Sequence, residues 1–368
     1  MTRATVRLVV LLTSAALAAG TLAGCENAVN GDPRTVDDPS HAKIGLLLPD
    51  SVTARYENAD RPYFEARIKE LCPDCDVLYA NADGDAAKQQ QQAESMLTQG
   101  VDVLVLDPFD GVAAASIVAQ SKAQGVQVIA YDRLIDSPDA AYYISFDNER
   151  VGELQAGALV NLLDDEGVSP DSGGIIMVNG SPTDNNASEF KRGAHSIIDD
   201  SGYHVLAEAD TPGWDPAKAQ DWVAGQITQF GSKIIGIYGA NDQMGGAAIA
   251  AFKAAGIDTL PPVTGQDAEL AAIQRILTGD QYMTVYKALK PEAYKAAEVA
   301  LDLINSRVPV AGSHVTTSTG ASIPSFLLNP VLVTADNIES TVIADGFYTV
   351  KQICTASYRA ACEAAGLR

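Results

Sequence analysis

Asp132-Arg133, Asp184 with Asn185 and Asn186, Asn241-Asp242, Gln266-Asp267 and Lys287 each stand at or just after the end of a short apolar run, in VQVIAYDR, IIMVNGSPTDNN, IIGIYGAND, VTGQD and YMTVYK. Arg55 and Tyr56 follow the first such run, KIGLLL, by a few residues. Carboxylates accept hydrogen bonds, guanidinium and ammonium groups donate them, and side-chain amides do both. A set that mixes all three suits a ligand crowded with hydroxyls, and charged partners strengthen each bond. A pyranose is such a ligand, and its apolar C–H faces can be covered by an aromatic ring. Trp214, in ADTPGWDP, and Tyr56 are the rings placed for that. Trp222, about two turns further on in a helical pattern, is read as core packing. Each polar residue alone has a plain structural explanation, because Asp and Asn cap helices and fill turns. Asp242 and Gln266 are left with that explanation. Agreement among five separated strand ends carries the site.

Catalysis has less support. A nucleophilic triad needs a placed histidine, yet His41, His195, His204 and His314 accompany no local nucleophile motif. Neither GxGxxG nor GxxxxGK[ST] follows any apolar run, and HExxH is missing, so no cofactor or metal is expected. Asp132 and Asp184 are a carboxylate pair of the kind that hydrolyses glycosides. Arg133 beside Asp132 argues otherwise, since it lowers a pKa that a general acid needs raised. The net charge of −22 speaks against nucleic acid as a partner.

These residues need elements to hold them. The runs KIGLLL, DVLYA, VDVLVLDP, VQVIAYD, AYYIS, IIMVN, YHVLAEAD, IIGIYGA, PPVTGQD and YMTVY alternate with helix-period segments such as AAKQQQQAESMLTQG and NERVGELQAGALVNLLDD. That alternation predicts right-handed βαβ crossovers and parallel sheets covered on both faces, an α/β fold. Ten strands exceed one small sheet. An approximate internal repeat, in which VQVIAYDR and IIGIYGAND both end an apolar strand in charged or amide groups, makes two similar lobes the economical arrangement. Ligands of open parallel sheets bind outside the carboxyl ends of the strands, where the polar set lies.

The chain opens MTRATVRLVVLLTSAALAAGTLAGC, two arginines and an apolar stretch too short for a comfortable bilayer span, which reads as a secretory signal over 1–24. Leu22-Ala23-Gly24-Cys25 resembles the bacterial lipobox, so Cys25 is expected to carry lipid and to anchor the protein to the outer face of the cell membrane. Residues 25–42 are polar and unpatterned, and are read as a flexible tether. The remaining cysteines, Cys72 with Cys75 and Cys354 with Cys362, suggest two local disulfides in an exported chain. A four-thiolate zinc site is the alternative.

AYDRLI, YYISFDNERVGELQAGALV, NGSPTDNNA, GANDQMGGAAI, TGQDAEL and MTVYK together resemble the D-xylose-binding proteins of ABC importers, in the ribose/galactose class of type I periplasmic binding proteins. The similarity runs from about Lys43 to about Gly346. It implies two Rossmann-like lobes joined by a three-segment hinge and closing on one monosaccharide, with an ABC permease as partner and a monomeric body. The resemblance places 43–147 and 287–312 in the first lobe, 148–286 and 313–346 in the second, and 347–368 in a tail that bears a cysteine pair. It also implies sugar-binding roles for Arg55, Asp132, Arg133, Asp184, Asn186, Asn241, Asp267 and Lys287, and stacking by Trp214. Tyr56 stands where tryptophan is expected, which leaves the sugar open between D-xylose and a glucose- or galactose-type aldose. A sugar-sensing receptor subunit and a glycoside-processing enzyme are the rival functions.

Overall fold

The computed structural model describes residues 33–367. Among them lie twelve strands: β1 (Lys43–Leu48), β2 (Asp76–Asn81), β3 (Val103–Leu106), β4 (Gln127–Tyr131), β5 (Tyr142–Phe146), β6 (Gly174–Asn179), β7 (His204–Asp210), β8 (Ile234–Gly239), β9 (Thr284–Tyr286), β10 (Ser313–Thr316), β11 (Ser322–Leu328) and β12 (Val331–Val333). The central β1, β3 and β4 are almost wholly buried apolar runs, as strands covered on both faces must be. They belong to a sheet ordered β10-β11-β5-β4-β3-β1-β2, parallel except for the β10–β11 pair. A second sheet is built on β7-β6-β8, all parallel.

The expected strand PPVTGQD is present only as an extension of that second sheet. Val263 bridges Ile237, and Gly265 and Asp267 exchange backbone hydrogen bonds with Val285 of β9. β12 then pairs antiparallel with β9. Each sheet has its own core. Ile44, Leu46, Val103 and Ile129 lie on one face of the first sheet and Leu47, Leu104 and Val128 on the other, whereas Ile176, Met177, Ile237 and Phe190 centre the second lobe.

The chain crosses between lobes three times, at the ends of β5, β9 and β11. After the second crossing, helix Leu289–Ile304 buries Ala293, Ala296, Ala297 and Ala300 against the first lobe. Two expected boundaries need correction. Residues 313–328 do not join the second lobe, because β11 pairs parallel with β5 and β10 pairs with β11, extending the first sheet. The tether ends sooner than residue 42. The Arg34 backbone N–H donates to the Gly125 carbonyl at 3.0 Å, its guanidinium reaches Asp102 at 2.7 Å, and Val36 packs on the first core. The signal segment, the lipobox and Cys25 lie outside the described residues. Both cysteine pairs, Cys72–Cys75 and Cys354–Cys362, are disulfides, so their sulfurs are not arranged as metal ligands.

Candidate functional site

Between the carboxyl ends of the two sheets is a small, narrow cavity lined by all ten residues singled out from the sequence: Arg55, Tyr56, Asp132, Arg133, Asp184, Asn186, Trp214, Asn241, Asp267 and Lys287. Their positions follow from the elements. A π-helical turn, Tyr56–Asp60, opens the helix Arg61–Leu71 and turns Asp60 back beneath Arg55; such turns recur at functional sites. Asp132 and Arg133 follow β4, Asp184 and Asn186 begin the helix Asn185–Ser201, Asn241 caps the helix Asp242–Ala254, and Lys287 follows β9.

Capping and lining are not exclusive here. Asp184 Oδ1 accepts from the Asn186 backbone N–H at 2.9 Å, and Asn241 Oδ1 accepts from that of Met244 at 2.9 Å, so both residues close helix termini while facing the cavity. Asp132 (φ 55°), Trp214 (φ 54°) and Asp267 (φ 94°) occupy left-handed backbone conformations that L-residues with a Cβ rarely adopt. Each costs on the order of 1–3 kcal/mol and persists only where the surroundings enforce it, a pattern that clusters at binding sites.

The charged groups form two linked networks. In one, Arg55 binds Asp60 through Nε at 2.8 Å and Nη2 at 2.9 Å, binds Glu292 at 2.8 Å, and turns Nη1 to within 3.1 Å of Asp132. In the other, Arg133 of the first lobe meets Asp184 of the second at 3.0 Å and donates from Nη2 to the Tyr56 hydroxyl at 3.0 Å. Asp107 stands 3.7 Å behind that guanidinium. Lys287 Nζ lies 3.2 Å from Asp267 and 3.8 Å from Asp132. Burial alone would raise the Asp132 carboxyl, but Arg55 first, then Lys287 and Arg133, hold it down at about 2. Burial pushes Asp107 and Glu292 well above the usual carboxylate range, with Arg133 and Arg55 respectively opposing the rise.

Trp214 lies flat over Gly180. A Cβ at residue 180 would fall 2.1 Å from Cη2 of the indole, so only glycine lets the ring lie there. The indole N–H donates to Asp184 Oδ2 at 3.0 Å, and Phe190 packs against the ring edge-on at 6.4 Å. Trp222, as expected, is a partly buried residue packed on the second core.

Among the described residues, Arg55 Nη1, Asp132 Oδ1, Gln266 Oε1 and Asp267 Oδ1 are buried without a hydrogen bond; the 3.1 Å approach of Arg55 to Asp132 is an ion pair not aligned as one. All four residues line the cavity. Leaving such atoms unpaired costs about 1–3 kcal/mol each. A ligand that both donates and accepts removes that cost. Gln266 therefore belongs to the site rather than to the scaffold, a correction to its structural assignment. Asp242, in contrast, is scaffold: it accepts from Gln281 at 2.7 Å, Thr284 at 3.0 Å and the Glu269 backbone at 2.8 Å.

Sequence reasoning missed Thr53 and Phe190 in the lining and Asp60, Asp107 and Glu292 behind it. Asp107 ends β3 and was open to the same strand-end argument. Asp60 and Glu292 carried no such signal, because a π turn and the helix that follows the second crossing bring them to Arg55.

The family model of the periplasmic binding protein domain matches residues 44–307. The D-xylose-binding periplasmic protein of Escherichia coli is 37% identical over 84% of this chain and 92% of its own. A multiple sugar-binding periplasmic receptor of Rhizobium radiobacter is 30% identical over 84% of this chain and 92% of its own. Among solved structures, an ABC transporter solute-binding protein of Clostridium phytofermentans with bound β-D-glucose superposes with a TM-score of 0.78 at 29% identity, covering 84% of this chain and 99% of that one.

Proposed function

Because the chain belongs to the periplasmic binding protein family, we propose that it captures one aldopyranose, with D-xylose the first candidate, and delivers it to an ABC permease without chemical turnover. One observation carries this reading: four buried polar atoms, an Arg donor and three carboxylate or amide acceptors, belong to residues that line a single interlobe cavity beside Trp214 and make no hydrogen bond among the described residues, ion pairs at 3.1 and 3.2 Å being their nearest approach. That is the complement of a polyol with an apolar face. Hydrolysis is disfavoured by the same geometry. Asp132 is held ionised by three cations; burial raises the Asp184 carboxyl, but its Oδ2 is engaged by Trp214 and Arg133 and its Oδ1 by the Asn186 backbone, so neither carboxyl has an oxygen free to protonate a leaving group.

A panel of xylose, glucose, galactose, arabinose and ribose in a thermal-shift assay tests the ligand, since a bound sugar raises the melting point with its concentration relative to Kd. Xylose is expected to give the largest shift; no shift with any sugar would reject the reading. Calorimetry of Arg133→Ala and Asp267→Asn checks the pocket, with weaker binding expected in both. A glucose-type ligand is the second reading, favoured by Tyr56. Its hydroxyl is tied to Arg133, so that wall is a fixed phenol rather than the bicyclic ring the family resemblance leads one to expect. Membrane attachment through Cys25 belongs to the same proposal. Mass spectrometry of the mature N-terminus is expected to show a diacylglyceryl cysteine, and a mature N-terminus without diacylglyceryl on Cys25 would remove it.

A further inference from the structure

Asp107, at the end of β3, is completely buried, yet among the described residues neither of its carboxylate oxygens has a hydrogen-bond partner. It does not line the sugar cavity, so a sugar held there does not relieve it. Its backbone is pinned. The N–H donates to the Leu47 carbonyl at 2.9 Å, the carbonyl accepts from the Gln89 side-chain amide at 2.8 Å, and Gln89 Oε1 accepts from the Phe109 N–H at 2.9 Å. A partner must therefore come to Asp107. Arg133 is the cation that approaches it, but its Nε stands 3.7 Å off and faces Asp184 of the second lobe at 3.0 Å instead. The other polar neighbours of that guanidinium belong to the first lobe: the Tyr56 hydroxyl at 3.0 Å, the Pro108 carbonyl at 3.4 Å and Asp50 at 3.9 Å.

We propose that Asp107 is a positioning residue for the open form: when the lobes part and Asp184 withdraws, Arg133 moves about 1 Å onto Asp107, so the guanidinium exchanges a partner in its own lobe for one across the cleft each time the protein closes. The inference rests on the sugar-binding and hinge reading above and names a determinant of its affinity. Opening gives the Asp107 carboxylate a close counter-charge, and closure takes it away while leaving the group buried. Asp107 thus opposes closure, and sugar affinity is lowered by the difference between the two states. In the closed arrangement burial already pushes this carboxyl well above the usual carboxylate range, with Arg133 opposing the rise, as suits a group held short of its partner.

Asp107→Asn removes the charge at constant shape, and Asp107→Leu removes the polar atoms; circular dichroism checks that each is folded, and should the Leu variant not fold, the Asn variant carries the test. In calorimetry on the full mature chain, with D-xylose and D-glucose as probes, both variants are expected to bind about tenfold more tightly than wild type, equivalent to about 1.4 kcal/mol. Small-angle scattering without sugar is expected to give them a smaller radius of gyration. Introduced together with Arg133→Ala, the same substitutions should change neither quantity, because the exchange of partners no longer exists. Affinity that is weaker or unchanged would make Asp107 a fixed counter-charge for Arg133 and overturn the inference, as would an equal gain in affinity in the Arg133→Ala background. If neither sugar binds the wild-type chain, the sugar-binding reading fails and the sugar-free radius alone decides for Asp107: a smaller radius supports the exchange, and an unchanged one overturns it.

Discussion

Asp132 is the residue on which the charge balance of the site turns. It faces Arg55 at 3.1 Å and Lys287 at 3.8 Å, and its backbone carbonyl accepts from Asn186 at 3.0 Å and from Ser145 at 2.6 Å. Its folded pKa, about 2, lies below the unfolded value of about 3.9. The sign follows directly: the unfolded chain binds the proton more readily, so this carboxylate contributes stability that is fully present above about pH 4 and is lost as pH falls through about 2. Asp132→Asn should weaken sugar binding and, by stranding buried cations, cost about 3–5 kcal/mol at neutral pH. Its deficit relative to wild type should shrink in melts run between about pH 4 and pH 2. A deficit that stays constant over that window would show that Asp132 is not held ionised. The sequence announced Asp132 through its place after β4, but not its left-handed backbone or its partners. Those depend on Arg55 being fixed by Asp60 and Glu292, which lie 5 and 237 positions away in the chain.

At the level of elements, strand ends were legible because parallel strands bury continuous apolar runs and release polar residues where they stop. The strands that were missed, β10, β11 and β12, do not follow that pattern. β10 alternates half-buried and exposed residues at a sheet edge, and β12 is three residues long. Two elements lend themselves to direct tests. Gly180 follows β6 under the Trp214 ring, and Gly180→Ala places a methyl group where the indole lies. Circular dichroism should report a folded protein, destabilised by about 1–3 kcal/mol, while calorimetry reports a marked loss of sugar affinity. Unchanged affinity would mean that the ring is not a ligand platform. The tail disulfide joins cysteines eight positions apart, and a loop of that size contributes roughly 2–3 kcal/mol in the chain-entropy account. Cys354→Ser with Cys362→Ser should lower the melting temperature of the oxidised protein, and reductant should then have less further effect than it has on wild type.

At the scale of the molecule, two cores with three short crossings make a hinge, and the crossings have their own small cluster, in which Phe146, Leu289 and Ala59 pack with Leu328 and Phe347. Across the cleft the lobes touch mainly through polar groups: Arg133 to Asp184, Asn186 to the Asp132 carbonyl, Gly111 N–H to the Thr183 carbonyl at 3.1 Å, and Gln243 to the Val52 carbonyl at 3.0 Å. Hydrogen bonds exchanged for those to water contribute only about 0.5–1.5 kcal/mol each on balance, so these few contacts favour the closed arrangement modestly. A sugar that satisfies Arg55 and Asp132 on one side and Gln266 and Asp267 on the other has affinity for the closed form alone, and shifts the hinge equilibrium by that difference. Small-angle scattering should therefore give a radius of gyration that falls on addition of the sugar that binds. Arg133→Ala, which removes the ion pair between the lobes, should enlarge the sugar-free radius and need more sugar to reach the same compact limit. A radius indifferent to a saturating, calorimetrically verified ligand would place the mechanism outside hinge closure and make the site a preformed pocket.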